Sequence, residues 1–578
     1  MERLIRTIRQ LDRKPFGAVQ RLRGTYRYPS FTLTFRHIQG SPGAHPASIA
    51  EMALAREACA FPDRFLEDPT ARRGLEDFLI RRFHRGIETL SVPNRGADGS
   101  GSLHTVDLSQ IIVARDAVEV TEGGIVLRFM VSFPSRVGGG GSFDADQAVA
   151  MVAEEIPAIA RFAFAYEAYE AEAVRQLEAT VSVLEDRAAI AAAMRRHGWI
   201  VFVPDGAILP RRSGVDPRPM ASDEAVPFAA PETLRVSVEV PSGSLTGMAL
   251  PEGVTVITGG GFHGKSTLLQ AITEGVYPHV PGDGRERVVT RADGVMLRSE
   301  EGRSVRRVDI HPFIRELPGG RETDRFSTDD ASGSTSQAAA IVEAIEAGSR
   351  LLLLDEDSCA TNLLVRDDLI ARIIPPEREP IRPLYETVRS LWHTHGISTV
   401  LVAGGLGLFL RRADTVLLLE AYRCRDVTDR VRETIGWDDG SGAESFALPV
   451  PRRLLPGNFD PSFTNRRLAK TVPVRIKPLR QARRKLEYGM DLVDLSDVVQ
   501  LIEAPQTLAL GWMIHAMCRQ LEAADAPLSL VSLLDALEAQ IDREGLAALK
   551  HPYPGTLSRP RRYELASAVN RMRSLRVE

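Results

Sequence analysis

The sequence predicts an α/β protein with a central layered core, an α+β domain before it and a mainly helical region after it. Three observations predict this. From about residue 226 to 450, short apolar β-branched runs alternate with helical ones, the pattern of helices layered on a largely parallel sheet. Before residue 225, strand-like runs at 31–35 and 124–131 are mixed with an Ala- and Glu-rich helical stretch from Asp144 to about His197. Beyond Pro449, a proline- and arginine-rich stretch leads into an amphipathic helical pattern from about Asp491 to Leu537.

A chain of 578 residues is too long for one hydrophobic core. The expected domains are therefore 1–225, 226–450 and 451–578. Prolines at 204, 210, 217, 219, 227 and 231 mark the first boundary, because proline continues neither a helix nor a central strand. At the N-terminus, Leu4, Ile5, Ile8 and Leu11 fall at helical spacing. Glu2 and Asp12 interrupt the arginines and no apolar run follows, so an ordinary opening helix is expected rather than a targeting segment. The four glycines 138–141 after Arg136-Val137 fit a flexible loop tip or a close approach of backbone to phosphate.

With 44% hydrophobic and 26% charged residues, the composition is that of a globular protein, and a net charge of -4 excludes a global attraction to polyanions. No run of eighteen apolar residues occurs, so no membrane span is expected and the reading is cytoplasmic. Cys59, Cys359, Cys424 and Cys518 have neither CxxC nor metal spacing.

The chemistry-bearing motifs lie in the central part. The strand-like run 254–258 feeds Gly259, Gly260, Gly261, Phe262, His263, Gly264, Lys265 and Ser266, and a helical run from Thr267 follows. This is G-x-x-x-x-G-K-S between a strand and a helix, the P-loop context. Its glycines let backbone N–H groups face phosphate oxygens, Lys265 suits the β- and γ-phosphates, and the Ser266 hydroxyl suits Mg²⁺. Leu351 to Leu354 read as a buried strand ending in Asp355 and Glu356. A carboxylate at that edge suits Mg²⁺ held through water (Asp355), and its neighbour suits general-base activation of water (Glu356). The segment Ala331-Ser332-Gly333-Ser334-Thr335-Ser336-Gln337 opens a further helical run. Its hydroxyl and free N–H groups form either an anion site or a simple helix cap.

These segments resemble ATPases of the ABC type. In that family the signature serine lies 23 residues before the Walker B aspartate, and Ser332 and Asp355 keep the same interval. Ser332 and Gly333 match the signature, while Ser334 and Thr335 depart from it. Asn362 replaces the usual aspartate of the D-loop, Asp357 replaces the proline after the Asp-Glu pair, and Gly404 stands where a switch histidine is expected. His393 and His395 read as helix or loop surface, and His311 falls near the expected Gln-loop interval. Residues 275–286, the Phe35–Gly40 stretch and Ile208–Arg211 add to a resemblance to the small family of predicted ATPases of the ABC class, which are not attached to transporter membrane domains. The resemblance implies ATP and Mg²⁺ as cofactors, and a homodimer in which Ser332, Gly333 and Ser334 clamp the γ-phosphate held by the partner's P-loop. A P-loop kinase of a small molecule and a transporter ATPase subunit are the competing readings. Phe228 is a guess for an adenine-stacking ring.

Between 451 and 485 stand eleven Arg or Lys residues against Asp460 alone. Such a stretch fits RNA or single-stranded nucleic acid with a salt-dependent affinity, or a solvated face paired with acids elsewhere. Phe459, Phe463 and Tyr488 are the few aromatics nearby.

Overall fold

The computed structural model describes the chain apart from residues 44–46, 94, 96–99, 137–140, 367–371, 375–377, 441–446, 449, 466, 468, 480 and 481. Most of the glycine run after Arg136, together with Arg466 and Arg480 of the basic stretch, lies outside the described residues. The described residues form an α/β structure in two compact units.

The first unit comprises Met1–Glu185 and Glu544–Arg559. Its antiparallel sheet has the order Gly24–Arg27, Thr32–His37, Ser48–Ala55, Gly124–Ser132 and Ser102–His104, and Val118–Thr121 also pairs with Gly124–Ser132. Along Gly124–Ser132 the residues Ile125, Leu127, Phe129 and Val131 are buried and alternate with half-exposed ones, the period-2 signature of a sheet with one covered face. The opening helix Glu2–Gln10 buries Leu4 and Ile8. The helical stretch expected from Asp144 divides where the chain turns at residues 165–170: Ile156–Phe164 ends at Ala165, and Ala171–His197 follows. Residues 544–559 are fastened to this unit by Asp116, whose carboxylate accepts the N–H groups of Gly555 and Leu557. Burial pushes that carboxyl up to about 6.

The second unit comprises Asp186–Arg543 and Pro560–Glu578, so the units divide at 185/186 and not at the prolines near 225. Its main sheet has the order Gly294–Leu297, Leu351–Asp355, Ser398–Val402, Val254–Thr258, Thr415–Glu420 and Arg423–Asp426, parallel except for the last strand. The four leucines 351–354 show why this segment is a central strand. Leu352 and Leu354 pack with Ala338, Ile341 and Ile345 of the helix Gly333–Glu346, and Leu351 and Leu353 pack on the opposite face with Leu268, Leu269 and Ile272 of the helix Lys265–Glu274. All four are fully buried, each contributing roughly 2 kcal/mol of apolar burial. A second, antiparallel sheet combines Val289–Thr290, Trp199–Pro204, Gly243–Pro251 and Arg235–Val240.

The C-terminal part is helical at Ala504–Ala524, Leu530–Glu544 and Arg562–Asn570. The basic stretch before it forms strands: a hairpin of Phe463–Asn465 with Lys470–Val472, and a three-stranded sheet of Ile476–Leu479, Ala482–Tyr488 and Asp491–Asp494. The helical pattern expected from Asp491 thus begins at Ala504. Among the described residues no helix is long and apolar enough to cross a membrane.

Candidate nucleotide site

Three loops leave the carboxyl edge of the main sheet side by side. Ile257 and Asp355 both register with Val402, so the strand ends that carry Gly259, Glu356 and Ala403 are level. Parallel strands in a layered fold bring such loops together, which is why ligands are held at this edge.

The loop 259–264 owes its path to glycine at two positions. Gly259 has φ +137°, and a Cβ there would lie 2.2 Å from the carbonyl oxygen of Leu419. Gly264 has φ +95° and starts the helix Lys265–Glu274 with no side chain capping it. The N–H groups of the first turn (Lys265, Ser266, Thr267) have no acceptor within their own helix, so this terminus offers donors and partial positive charge to an anion. Lys265 Nζ lies in the mouth of the loop, donating to the carbonyls of Gly259 at 2.9 Å and Gly260 at 2.7 Å. Ser266 is exposed. Phe262 sits at the loop's apex with φ +62° and is 99% exposed. His263 turns the other way and accepts the N–H of Ala421 at 2.6 Å.

Across the sheet, Asp355 ends its strand half-buried, and burial raises its carboxyl above the ordinary aspartate range. Glu356 begins a short 3₁₀ turn, and its Oε2 accepts the backbone N–H groups of Gly404 at 2.7 Å and Gly405 at 2.9 Å. A Cβ built on Gly404 would stand 3.7 Å from Lys265 Nζ and 3.9 Å from Glu356 Oε2. Gly404 therefore lies beside both the lysine and the carboxylate, and with Gly405 it reaches Glu356 through main-chain donors. This contact was not legible from the residues, because glycine at 404 reads as a missing side chain.

Ser332 caps the helix Gly333–Glu346: its Oγ accepts the N–H of Thr335 at 3.4 Å and meets the Thr335 hydroxyl at 3.0 Å. Gly333 is tightly placed, with Ser299 Oγ 2.7 Å from where a Cβ would sit. The helix start is fastened to the loop after Glu356. Asn362 Nδ2 donates to Ser334 Oγ at 3.2 Å, and Ala360 N–H donates to Gln337 Oε1 at 2.7 Å. The start of this helix and the loop after Glu356 are thus joined, with Asn362 serving as a donor.

Other residues singled out from the sequence lie elsewhere. Phe228 is buried in the core with Ala207, Met248 and Leu250 and has no face open to a base, which corrects its reading as a stacking ring. His393 accepts from Arg389 in the last turn of Leu384–His395. His311 is exposed and meets Thr323 at 3.2 Å. The segment 275–286 is interior scaffold. Asp283 accepts from Arg211 at 2.7 Å and meets His279 at 2.8 Å, and Arg285 reaches Glu274 at 2.7 Å and the Leu209 carbonyl. Two stretches some seventy residues apart therefore make one buried ionic cluster. It braces the far end of the P-loop helix.

A glycine cradle on a helix start, with a lysine in its mouth and a carboxylate pair on the neighbouring strand, defines a P-loop domain in an α/β layered fold. The chain belongs to the ATPases of the ABC class. A model of the ABC ATPase P-loop domain matches residues 173–445, and a model of the N-terminal domain of ATPases of the ABC class matches residues 1–167. A model of the MRB1590 C-terminal domain matches residues 479–578. The uncharacterised protein MJ1628 of Methanocaldococcus jannaschii is 31% identical over 221 residues, 37% of this chain and 48% of that protein. The chain thus aligns with about half the length of that relative. Among solved structures, cbiO1 from Clostridium perfringens, part of the ABC transporter complex cbiONQ, is similar at 15% identity with a TM-score of 0.24, covering 41% of this chain and 92% of that one. Membership in the ABC class sets the small-molecule kinase reading aside.

Proposed function

We propose that the protein binds Mg-ATP in the 259–267 loop and hydrolyses it with Glu356 as general base. The single observation that carries this is the pair of bonds from the Gly404 and Gly405 amides to Glu356, with a Cβ position on Gly404 3.7 Å from Lys265 Nζ. Two donors on Oε2 fix the carboxylate and leave Oε1 to take a proton from an attacking water. A Cβ on Gly405 would stand 3.1 Å from that Oε1, so glycine keeps the oxygen accessible. Lys265 leaves the loop carbonyls for the β- and γ-phosphates, and the first-turn N–H groups hold the phosphate chain. Ser266 and Asp355 are the residues to hold Mg²⁺, which when bound neutralises charge on the phosphate oxygens.

The exposed start of the signature helix suits a γ-phosphate held by a second copy, so the active form is read as a nucleotide-sandwich homodimer through Ser332, Gly333 and Ser334. Glu356→Gln tests the base directly. It should keep ATP affinity, lower turnover by at least about 100-fold and accumulate a nucleotide-bound dimer in size-exclusion chromatography. Hydrolysis at the parental rate would remove Glu356 from the role.

Coupling to RNA or single-stranded nucleic acid has a narrower basis than the sequence suggests. Arg452 pairs with Glu346, Arg475 and Lys477 with Glu487, and Lys485 with Asp494, while Arg484 donates to main-chain carbonyls. Arg467, Lys470 and Arg483 are exposed and form no ion pair among the described residues. Three such cations give a log–log salt slope of about -2 for single strands. Filter binding of single-stranded RNA across a salt series measures it, and a flat dependence would discard the nucleic-acid extension.

A further inference from the structure

Within the second unit, the short strands Val305–Val308 and Phe326–Thr328 pair across a bulge. Val305 registers with Thr328 and Val308 with Phe326, so Arg306 and Arg307 together oppose Ser327. The two arginines of the bulge differ. Arg306 is committed: it pairs with Asp329 at 2.5 Å and donates to the carbonyls of Thr328 and Arg573. Arg307 has φ +49°, in the left-handed region that a residue with a Cβ resists. Its backbone N–H donates to Ser327 Oγ at 2.9 Å, but its Nε is buried and has no acceptor among the described residues. Strained backbone and an unsatisfied buried donor both cost free energy, and they coincide where a site is built for something else.

Bulges re-aim side chains and gather beside functional sites. Arg307 lines a half-open hollow of about 660 Å³, a size within the range of small-molecule sites, roughly 300–1,000 Å³. Arg325 and Arg350 line it too, both exposed. The hollow's other cations are spoken for, Arg452 by Glu346 and Arg453 by Glu578. Two more acids, Asp309 and Asp324, stand at the same wall, and Asp309 already accepts the N–H of His311 at 3.0 Å. None of Arg307, Arg325 and Arg350 pairs with either acid among the described residues. Guanidinium groups hold phosphate or carboxylate oxygens through paired N–H donors. The acids suit hydroxyl donors on the rest of a ligand and would repel the further charges of a long polyanion.

We propose that this hollow binds a small hydroxylated phosphate ester or carboxylate, with Arg307 as the anchor of its oxyanion and Arg325 and Arg350 beside it. The inference does not rest on the nucleotide reading of the 259–267 loop.

The test is calorimetric titration of the full chain with glycerol 3-phosphate and, separately, with glycerate, alongside the melting temperature of each variant. Because the 259–267 loop also suits phosphate, the chain carries Lys265→Ala throughout. One of the two probes should bind, and which one binds tells a phosphate site from a carboxylate site. Adding Arg307→Gly should weaken that probe at least about tenfold and should melt at or above the temperature of the Lys265→Ala chain, because glycine suits the positive φ. Arg350→Gln, at an exposed position, should weaken the probe without moving the melting temperature. Failure of both probes to bind at millimolar concentration would overturn the proposal. So would an unchanged affinity in Arg307→Gly, or a lower melting temperature in Arg307→Gly with Arg350→Gln binding as before, which would make Arg307 a purely structural residue.

Discussion

Two helices begin on the same edge of the main sheet and treat their free N–H groups in opposite ways. Lys265–Glu274 starts at Gly264, which has no side chain, and its first turn is left uncapped. Gly333–Glu346 starts at Ser332, whose hydroxyl occupies the N–H of Thr335, and its first turn is tied to Asn362 through Ser334. An anion can reach the N–H groups of the first terminus without displacing a capping side chain. At the second it must compete with a cap worth about 1 kcal/mol. The difference fits the two proposed roles: the first terminus to hold nucleotide in a monomer, the second to contact it only when a further copy brings enough additional contacts.

Substitutions sharpen or break that asymmetry. Lys265→Ala should have the largest effect, weakening ATP by at least about 100-fold in calorimetry, since the loop then lacks its only cation. An unchanged Kd would mean that the uncapped terminus is not the nucleotide's seat. Gly405→Pro removes one of the two donors on Glu356 and crowds Oε1. Turnover should fall about 30-fold at an unaltered ATP Kd, and a matching loss of affinity would point to a collapsed loop. Ser332→Ala should lower unfolding stability by about 1 kcal/mol in urea melts without touching ATP affinity in the monomer. A loss of monomer affinity would erase the division of labour.

The smallest expected effect concerns pH. Burial raises the Asp355 carboxyl above its unfolded value, so in the metal-free protein its contribution favours folding at low pH and is lost as pH rises through the folded value. Asp355→Asn should therefore raise the unfolding midpoint slightly at pH 7.5. It should also abolish the Mg²⁺-dependent part of ATP affinity, which in the parent weakens on acidification before an ordinary aspartate would titrate. Equal midpoints for parent and variant from pH 5 to 7.5 would show that this burial does not matter.

The site was legible where its parts are consecutive in the chain. The cradle 259–266, the leucine strand ending at Asp355-Glu356 and the helix opening at Ser332 each announce themselves by residue type and spacing, because a strand, a turn and a helix start are local structures. Contacts between main chain and distant side chains were not legible. The grip of Gly404 and Gly405 on Glu356 depends on strand order, and glycine's amide leaves no mark in a sequence beyond the absence of a side chain. Charge counts alone could not apportion the basic stretch, because they ignore pairing: Glu346, Glu487 and Asp494, which pair with four of its cations, are acids outside 451–485.

By itself the sequence determined the class of fold and the chemistry available at one edge of a sheet, since β-branched and leucine runs, glycine placement and helix caps act over a few residues. Only the tertiary structure decided which groups meet. The level strand ends put Gly404 beside Lys265 and Glu356, the buried His279–Asp283–Arg211 cluster joined stretches about seventy residues apart, and residues 544–559 packed within the first unit through Asp116. Those outcomes follow from register and burial, where long-range pairing of strands and the cost of leaving a buried charge unpartnered select one arrangement among many that local preference permits.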